Sequence, residues 1–572
     1  MFLVQDPLPR LTNPFPSLSH EYSGVGLSIG ERLIDEFLIT RPLTSHLILI
    51  PTTRSSTKSA DAIRSLRAHL HRTAETSAPL RNRYSSSPDA APYDQTAVID
   101  RVHLLSAELD LCDLGSVYRA VDRLVHGTLV DPTGVTAGGA GLEIPRLDAV
   151  VLNAGLGGWS GFGWGGLFRQ ALAQGIVQAT TFPAFKTLLP RAVLDSREML
   201  RKAKEAAGLE DGEEEEDDSS GEKKGAGDDD AQEEDPPELA QVFCANLFGH
   251  YILAHELMPL LARPAADESG PGSAAIPPGR IVWTSSIDAC ENHLDLDDFQ
   301  ARATVPPYES SKRITDLIAL TAELPSVRPL TRAYFAAPFV KMALAAADAD
   351  MSASISTSAS TSSSSPSSAN PTPTSSVASD STSVGIAAGA APTTTHRPPR
   401  VCLSHPGIVC TPLFPLNWFL YFWYTMAMHL ARLLGSPWHV VETYLAACAP
   451  AWLALVADDA ELRARPPAKW GSACDRAGAN VRPKRTEVEG WGWEGRVGET
   501  AEEEDDEEEG EGEREFAFLK KTRGRKRGAT PLTAERKARF EDDARRCWAE
   551  LERLRAAWEV ALGRRPRPAA VE

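Results

Sequence analysis

Five short apolar runs, separated by stretches with helical spacing, constrain this chain more than any other feature. The runs lie at 47–50, 101–105, 149–152, 280–283 and 400–403. The helical stretches lie at 27–38, 114–125, 240–261 and 308–324. Strands this apolar are buried on both faces, as in a parallel sheet covered by helices. The alternation predicts an α/β fold with a doubly wound parallel sheet. Right-handed crossovers then bring the strand ends to one edge, where ligands bind in such sheets.

The runs are interrupted by segments that cannot join a core. Residues 209–238 are acidic and Gly-rich, 345–399 are dominated by Ser, Thr, Ala and Pro, and 502–513 form a second acid run. Each has too little apolar surface to offset the entropy of ordering, so disordered inserts are expected. The formal net charge of −19 is concentrated there: 210–238 carry −14 and 499–515 carry −11, which leaves about +6 for the rest. Global acidity therefore says nothing about partners, and no nucleic-acid surface is indicated. The expected organisation is an atypical N-terminus (1–22), a domain over 23–460 broken by two inserts, and an aromatic segment at 411–434. An irregular acidic then basic linker (461–532) and a helix (533–563) complete it. Eight cysteines are scattered without a CxxC pair or metal-ligand spacing, so neither a disulfide framework nor a metal site is expected. No cleavable signal peptide is expected from the first residues.

The most informative constellation is Tyr308-Glu309-Ser310-Ser311-Lys312. On a helix, positions i and i+4 share a face, so Tyr308 and Lys312 can enter one cleft. An ammonium beside a phenol stabilises the phenolate, which would let Tyr308 act as a general acid toward a carbonyl oxygen. Ser286 follows the apolar run at 280–283, where a hydroxyl would reach the ligand edge of the sheet. Asn153-Ala154-Gly155 follows another run, and Asn246 lies within an apolar helix, where it needs hydrogen-bond partners.

The order and spacing of these residues resemble the short-chain dehydrogenase/reductases. That resemblance implies a Rossmann-like domain that binds a nicotinamide dinucleotide. It implies catalytic roles for Asn246, Ser286, Tyr308 and Lys312, with Asn246 positioning a proton-relay water. It implies cofactor contacts from Asn153, Ala154 and Gly155, from Asp110 and Leu111 at the adenine, and from Pro406, Gly407, Val409 and Thr411 near the nicotinamide. Within that family, NLFGHYILAHELMPLL, RIVWTSS, YESSKR and HPGIVCT resemble the fungal sterol 3-keto reductase branch of ergosterol synthesis. The long spacer between Ser286 and Tyr308 suits that branch. The resemblance implies a sterol substrate and residence at the cytosolic face of the endoplasmic reticulum membrane and on lipid droplets. It also implies association with a sterol C-4 methyl oxidase, a C-3 decarboxylating dehydrogenase, a scaffold protein and oxidosqualene cyclase. A non-catalytic scaffold of the same complex, or a reductase of another lipophilic ketone, are the alternatives.

Arg54 follows the run at 47–50, where a basic residue accommodates the 2′-phosphate of NADP and an acidic one the hydroxyl of NAD; it favours NADPH. Gly24 and Gly26 precede the helix at 27–38, and a helix N-terminus offers N–H groups to a pyrophosphate. The stretch before them departs from the family. Ser19 and His20 stand where Thr and Gly are usual, and Pro14 and Pro16 cannot donate to a central ladder, so the first strand is expected to be missing or replaced. Residues 411–434 hold Trp418, Phe419, Tyr421, Phe422, Trp423 and Tyr424 in a tight cluster. Their uncharged part is barely long enough to span a bilayer, and the aromatic content fits an interfacial substrate lid better. The basic run at 520–527 reads as a solvated linker, a nuclear signal or an anionic-lipid patch.

Overall fold

The computed structural model describes residues 24–86, 93–134, 141–189, 191–206, 236–264, 277–336, 396–411, 418–498 and 524–564. The atypical N-terminus and nearly all of the two long inserts lie outside these residues.

The sheet strands are β1 (Leu47–Leu49), β2 (Val102–Leu104), β3 (Ala149–Leu152), β4 (Arg280–Thr284), β5 (Arg400–His405), β6 (Lys469–Cys474) and β7 (Val481–Thr486). The main helices are α1 (Val25–Thr40), α2 (Ser56–Thr76), α3 (Leu114–His126), α4 (Trp164–Gln174) and α5 (Gly249–Glu256). They continue with α6 (Pro307–Thr321), α7 (Trp418–Leu433) and α8 (Ala534–Ala561). Strands β3, β4, β5 and β6 are parallel, in the order β6-β5-β4-β3, and β7 closes the edge antiparallel to β6. Strands β1 and β2 form a separate parallel pair. Among the described residues no ladder joins β1 to β3.

Alternation along the strands explains why the runs read as continuously apolar. Val150 and Leu152 of β3, Ile281 and Trp283 of β4 and Leu403 of β5 face one core, which includes α3, α5, α6 and α8. Ala149, Val151, Val282 and Cys402 face the other, which includes α1 and α2. Both faces are covered, as an α/β sheet requires.

One expectation is corrected. The 461–532 stretch is not irregular throughout, because it supplies β6 and β7. Strand β7, Val-Arg-Pro-Lys-Arg-Thr, carries no apolar alternation because it is an edge strand, and Pro483 is tolerated there for the same reason.

Helix α8 packs on α6. The Arg313 guanidinium lies 4.9 Å from the Phe540 ring centroid, and Cys547, Trp548 and Leu551 share a core with Ile314 and Leu317. The Tyr251 hydroxyl donates to Glu552 at 2.5 Å. Arg555, wholly buried, spans Glu552 at 2.8 Å and Glu559 at 2.6 Å.

Candidate active site

Helix α6 starts at Pro307, whose fixed φ and missing N–H suit a first helical turn. That start puts Tyr308 and Lys312 one turn apart beside the end of β4. The Tyr308 phenol lies beside Ser286, which favours its ionised form, and Ser286 Oγ accepts from the Asp288 N–H at 3.2 Å. The Lys312 ammonium donates to the Thr284 carbonyl at 2.7 Å and lies 5.8 Å from the Tyr308 ring centroid. Beneath them, Lys469 donates to the Ser286 carbonyl at 2.6 Å and to Asp316 at 2.7 Å.

Asn246 enters from a π-helical turn, Cys244–Phe248, that leads into α5. Its Oδ1 accepts from the Leu156 N–H at 2.6 Å, and its Nδ2 donates to the Leu156 carbonyl at 2.9 Å and to Ser311 Oγ at 3.2 Å. Ser311 Oγ in turn donates to the Tyr308 carbonyl at 2.7 Å. Both Nδ2 hydrogens are therefore in use, and the side chain clamps the loop after β3 to α6. This differs from the expected water-holding role, in that only the second lone pair of Oδ1 remains for a water.

The same edge gathers other predicted residues. Gly26 sits where a Cβ would come within 3.2 Å of Asn153 Nδ2, and a Cβ on Gly155 would meet Asn246 Oδ1 at 2.7 Å. His250 pairs with the Ala154 carbonyl at 2.9 Å. Val25, next to Gly24, and Val409 pack on the same small cluster around Val440. Gly407 has φ +75, and Val409 bridges Val441, the one described β-branched residue at positive φ (+64). Pro406 and Thr411 are partly buried beside them. Arg54 is exposed ahead of α2, whose N-cap is Ser55. Asp110 Oδ1 accepts from the Cys112 N–H at 2.9 Å, and the Leu111 carbonyl accepts from Cys244 Sγ at 3.2 Å.

Electrostatics depart from expectation at Tyr308. Burial and the neighbouring Glu309 push its phenol up to about 12. Lys186 opposes that rise. Burial drops Lys312 itself to about 8.

Sequence reasoning missed Trp159 and Lys186. They belong to a hairpin, Trp159–Phe162 against Lys186–Leu188, that covers Tyr308. The Gly-rich run from Gly155 to Gly166 carries no strand alternation, so no periodic signal marked it. Helix α4, inside the hairpin, was missed too, and it exposes Phe168 (65%) and Leu172 (89%). Helix α7 exposes Trp418 (83%), Phe419, Phe422 and Trp423, and Tyr424 on its other side stacks on Phe162 at 5.9 Å. Residues 412–417 of the expected lid lie outside the described residues. Among the described residues no helix is long and apolar enough to cross a membrane. The described part of the basic run is not free: Arg525 pairs with Glu487, Lys526 with Glu489, and Arg527 donates to the Ala173 carbonyl at 2.7 Å. None of the eight cysteines is in a disulfide.

A phenol, a hydroxyl and an ammonium gather at the edge of a parallel sheet, and the relatives of this chain are oxidoreductases acting on a ketone or hydroxyl group. No protein-family model matches the chain. It is 38% identical over 561 residues, 98% of this chain and 97% of the relative, to the 3-keto-steroid reductase ERG27 of Gibberella zeae. Identity with the Aspergillus fumigatus 3-keto-steroid reductase erg27 is 35% over 551 residues, 94% and 93% of the two chains. The human 3-keto-steroid reductase/17-beta-hydroxysteroid dehydrogenase 7 shares 40% over 82 residues, 14% of this chain and 21% of that one. The chain belongs to the 3-keto-steroid reductase family, whose members imply a nicotinamide cofactor.

Proposed function

We propose that the protein reduces the C3 ketone of a 3-keto sterol to a 3β-hydroxyl with NADPH, in the course of sterol C-4 demethylation. The observation that carries this reading is Tyr308 beside Ser286 at the end of β4, with the Lys312 ammonium one helical turn away and 5.8 Å from the phenol ring. The cradle fits a dinucleotide bound in the Rossmann-like manner. A side chain at Gly155 would clash with Asn246 and one at Gly26 would crowd Asn153, and the buried Thr284 Oγ1 beside Lys312 has no partner among the described residues. Gly24 and Gly26 at the start of α1 would hold the pyrophosphate, Asp110 and Leu111 the adenine, and Arg54 the 2′-phosphate. Asn153, Ala154, Gly155 and Lys312 would hold the ribose side, with Pro406, Gly407, Val409 and Thr411 at the nicotinamide. The cofactor supplies the reducing equivalent.

The residues of the chain handle the proton. Tyr308, kept neutral at pH 7 by a pKa near 12, donates its O–H to the developing alkoxide at C3. Ser286 hydrogen-bonds the same oxygen, and a preorganised donor of this kind contributes about 3 kcal/mol to the barrier reduction. Asn246 holds Leu156 and Ser311 in place, and through Ser311 the first turn of α6. Tyr308→Phe abolishes turnover of a 4-methyl-3-keto sterol in this scheme. Retained turnover with NADPH refutes it.

The membrane reading takes in α4 as well as α7. Their exposed aromatic and apolar side chains form a face for the bilayer interface, with Arg527 anchored at the end of α4 beside it. A sterol would enter from the bilayer beneath α7. This supports residence at the endoplasmic reticulum membrane and lipid droplets, alongside the other enzymes of the demethylation complex. Co-sedimentation with liposomes tests the face: Trp418→Ser with Phe168→Ser reduces it at least tenfold, and unchanged binding refutes the assignment.

A further inference from the structure

We propose that Lys186, with Asp288 and Glu309, forms a buried charge triad that sets the acidity of Tyr308, making Lys186 a positioning residue for the proton-transfer step. Lys186 comes from the hairpin over the site, whereas Asp288 follows β4 and Glu309 is the neighbour of Tyr308 on α6. The Lys186 ammonium donates to Asp288 at 2.7 Å and to Glu309, and all three side chains are at most one-tenth exposed. It lies 4.9 Å from the Trp159 ring centroid, and Trp159 packs on Tyr308 with centroids 4.5 Å apart and ring planes tilted by 60°. The hairpin thus delivers a cation and a ring together onto the phenol.

The charges facing Tyr308 are Glu309 and Lys312 from its own helix, Asp288 from the loop after β4 and Lys186 from the hairpin. Both cations favour the phenolate, and Lys186 is the one that also holds the two carboxylates. The triad sets one positive charge against two carboxylates. When Tyr308 gives its proton to the substrate alkoxide, a phenolate remains beside those carboxylates. Lys186 offsets their repulsion at the moment that charge develops. Removing Lys186 alone leaves two uncompensated carboxylates and makes the phenolate harder to form. Neutralising all three groups removes the net negative field and makes it easier.

This inference rests on Tyr308 being the proton donor, and its test separates the two. The full chain is labelled with difluorotyrosine, whose greater acidity brings the titration into a range where the fold persists. The fluorine resonance of Tyr308 is assigned by its loss in Tyr308→Phe. Lys186→Met is expected to move the titration up by at least about one pH unit, equivalent to about tenfold less phenolate at a given pH. The triple variant Lys186→Met, Asp288→Asn, Glu309→Gln is expected to move it below the unsubstituted protein, and Lys186→Arg to leave it near that value. In turnover of a 3-keto sterol, Lys186→Met lowers kcat about tenfold with KM within threefold, and Lys186→Arg recovers most of the loss. A titration unmoved by Lys186→Met overturns the proposal. If that variant does not fold, a triple variant titrating at or above the unsubstituted protein overturns it. Turnover retained by Tyr308→Phe defeats the proton-donor assignment and leaves the titration order intact.

Discussion

Replacing Lys312 by Met should make the cofactor-free protein more stable while destroying its activity. The ammonium is buried with one acceptor, the Thr284 carbonyl, and burial drops it from 10.5 to about 8. At about 1.4 kcal/mol per pH unit, holding that proton costs the folded state about 3 kcal/mol at pH 7. The sign follows from proton counting. Between pH 8 and 10.5 the unfolded chain binds the proton and the folded one does not, so folding gains stability as pH rises through this window. Methionine removes the charge at similar volume but strands the Thr284 carbonyl, a loss of about 1–2 kcal/mol. The net expectation is a gain of about 1–2 kcal/mol at pH 7 that reverses to a deficit of about 1–2 kcal/mol by pH 10.5. Urea unfolding of both proteins from pH 7 to 10 measures it, since their difference cancels the buried thiols. Tyr308, pushed up to about 12, weakens folding only above pH 10. A Lys312→Met protein that is less stable at pH 7, with a difference independent of pH, would refute the reasoning.

Gly407→Ala should lower stability by about 3 kcal/mol. It forces alanine to φ +75 with its Cβ 2.7 Å from the Trp438 carbonyl and 2.9 Å from that of Ser472, and the urea midpoint reads the loss. Arg555→Met strands Glu552 and Glu559 in the core and should cost about 3–5 kcal/mol, measured the same way. His250 and His439 are each pressed down to about 3 by burial, and His405 is pressed well below 6.5 as well, so the unfolded chain takes up these three protons first as pH falls below 6.5. Each contributes a loss of up to about 1.4 kcal/mol of stability per pH unit from pH 6 to 5, and His439→Gln should remove one such share from the slope.

The parallel strands were legible because both faces of β3 and β4 are covered, so period-2 alternation is filled in with apolar residues. The Tyr308–Lys312 pairing was legible because helical geometry alone puts i and i+4 on one face. Helix α2 was overlooked although Ile63, Leu66, Leu70 and Ala74 mark a buried stripe, because four basic side chains and short polar residues dominate its composition. Strand β7 hid behind its edge position. Trp159 and Lys186 were not legible, since their effect on Tyr308 depends on a hairpin closing over a helix more than a hundred positions later in the chain.

The packing of α8 on α6 orders events in time as well as in space. The helix that carries Tyr308 buries Arg313, Ile314 and Leu317 against residues between Phe540 and Leu551. More than two hundred further residues must leave the ribosome before that surface is shielded. A nascent chain therefore carries a greasy, unsealed flank until α8 has been made, which calls for chaperone cover. A stop codon ahead of α8 would yield a polypeptide holding every proposed proton-handling group yet marked for degradation.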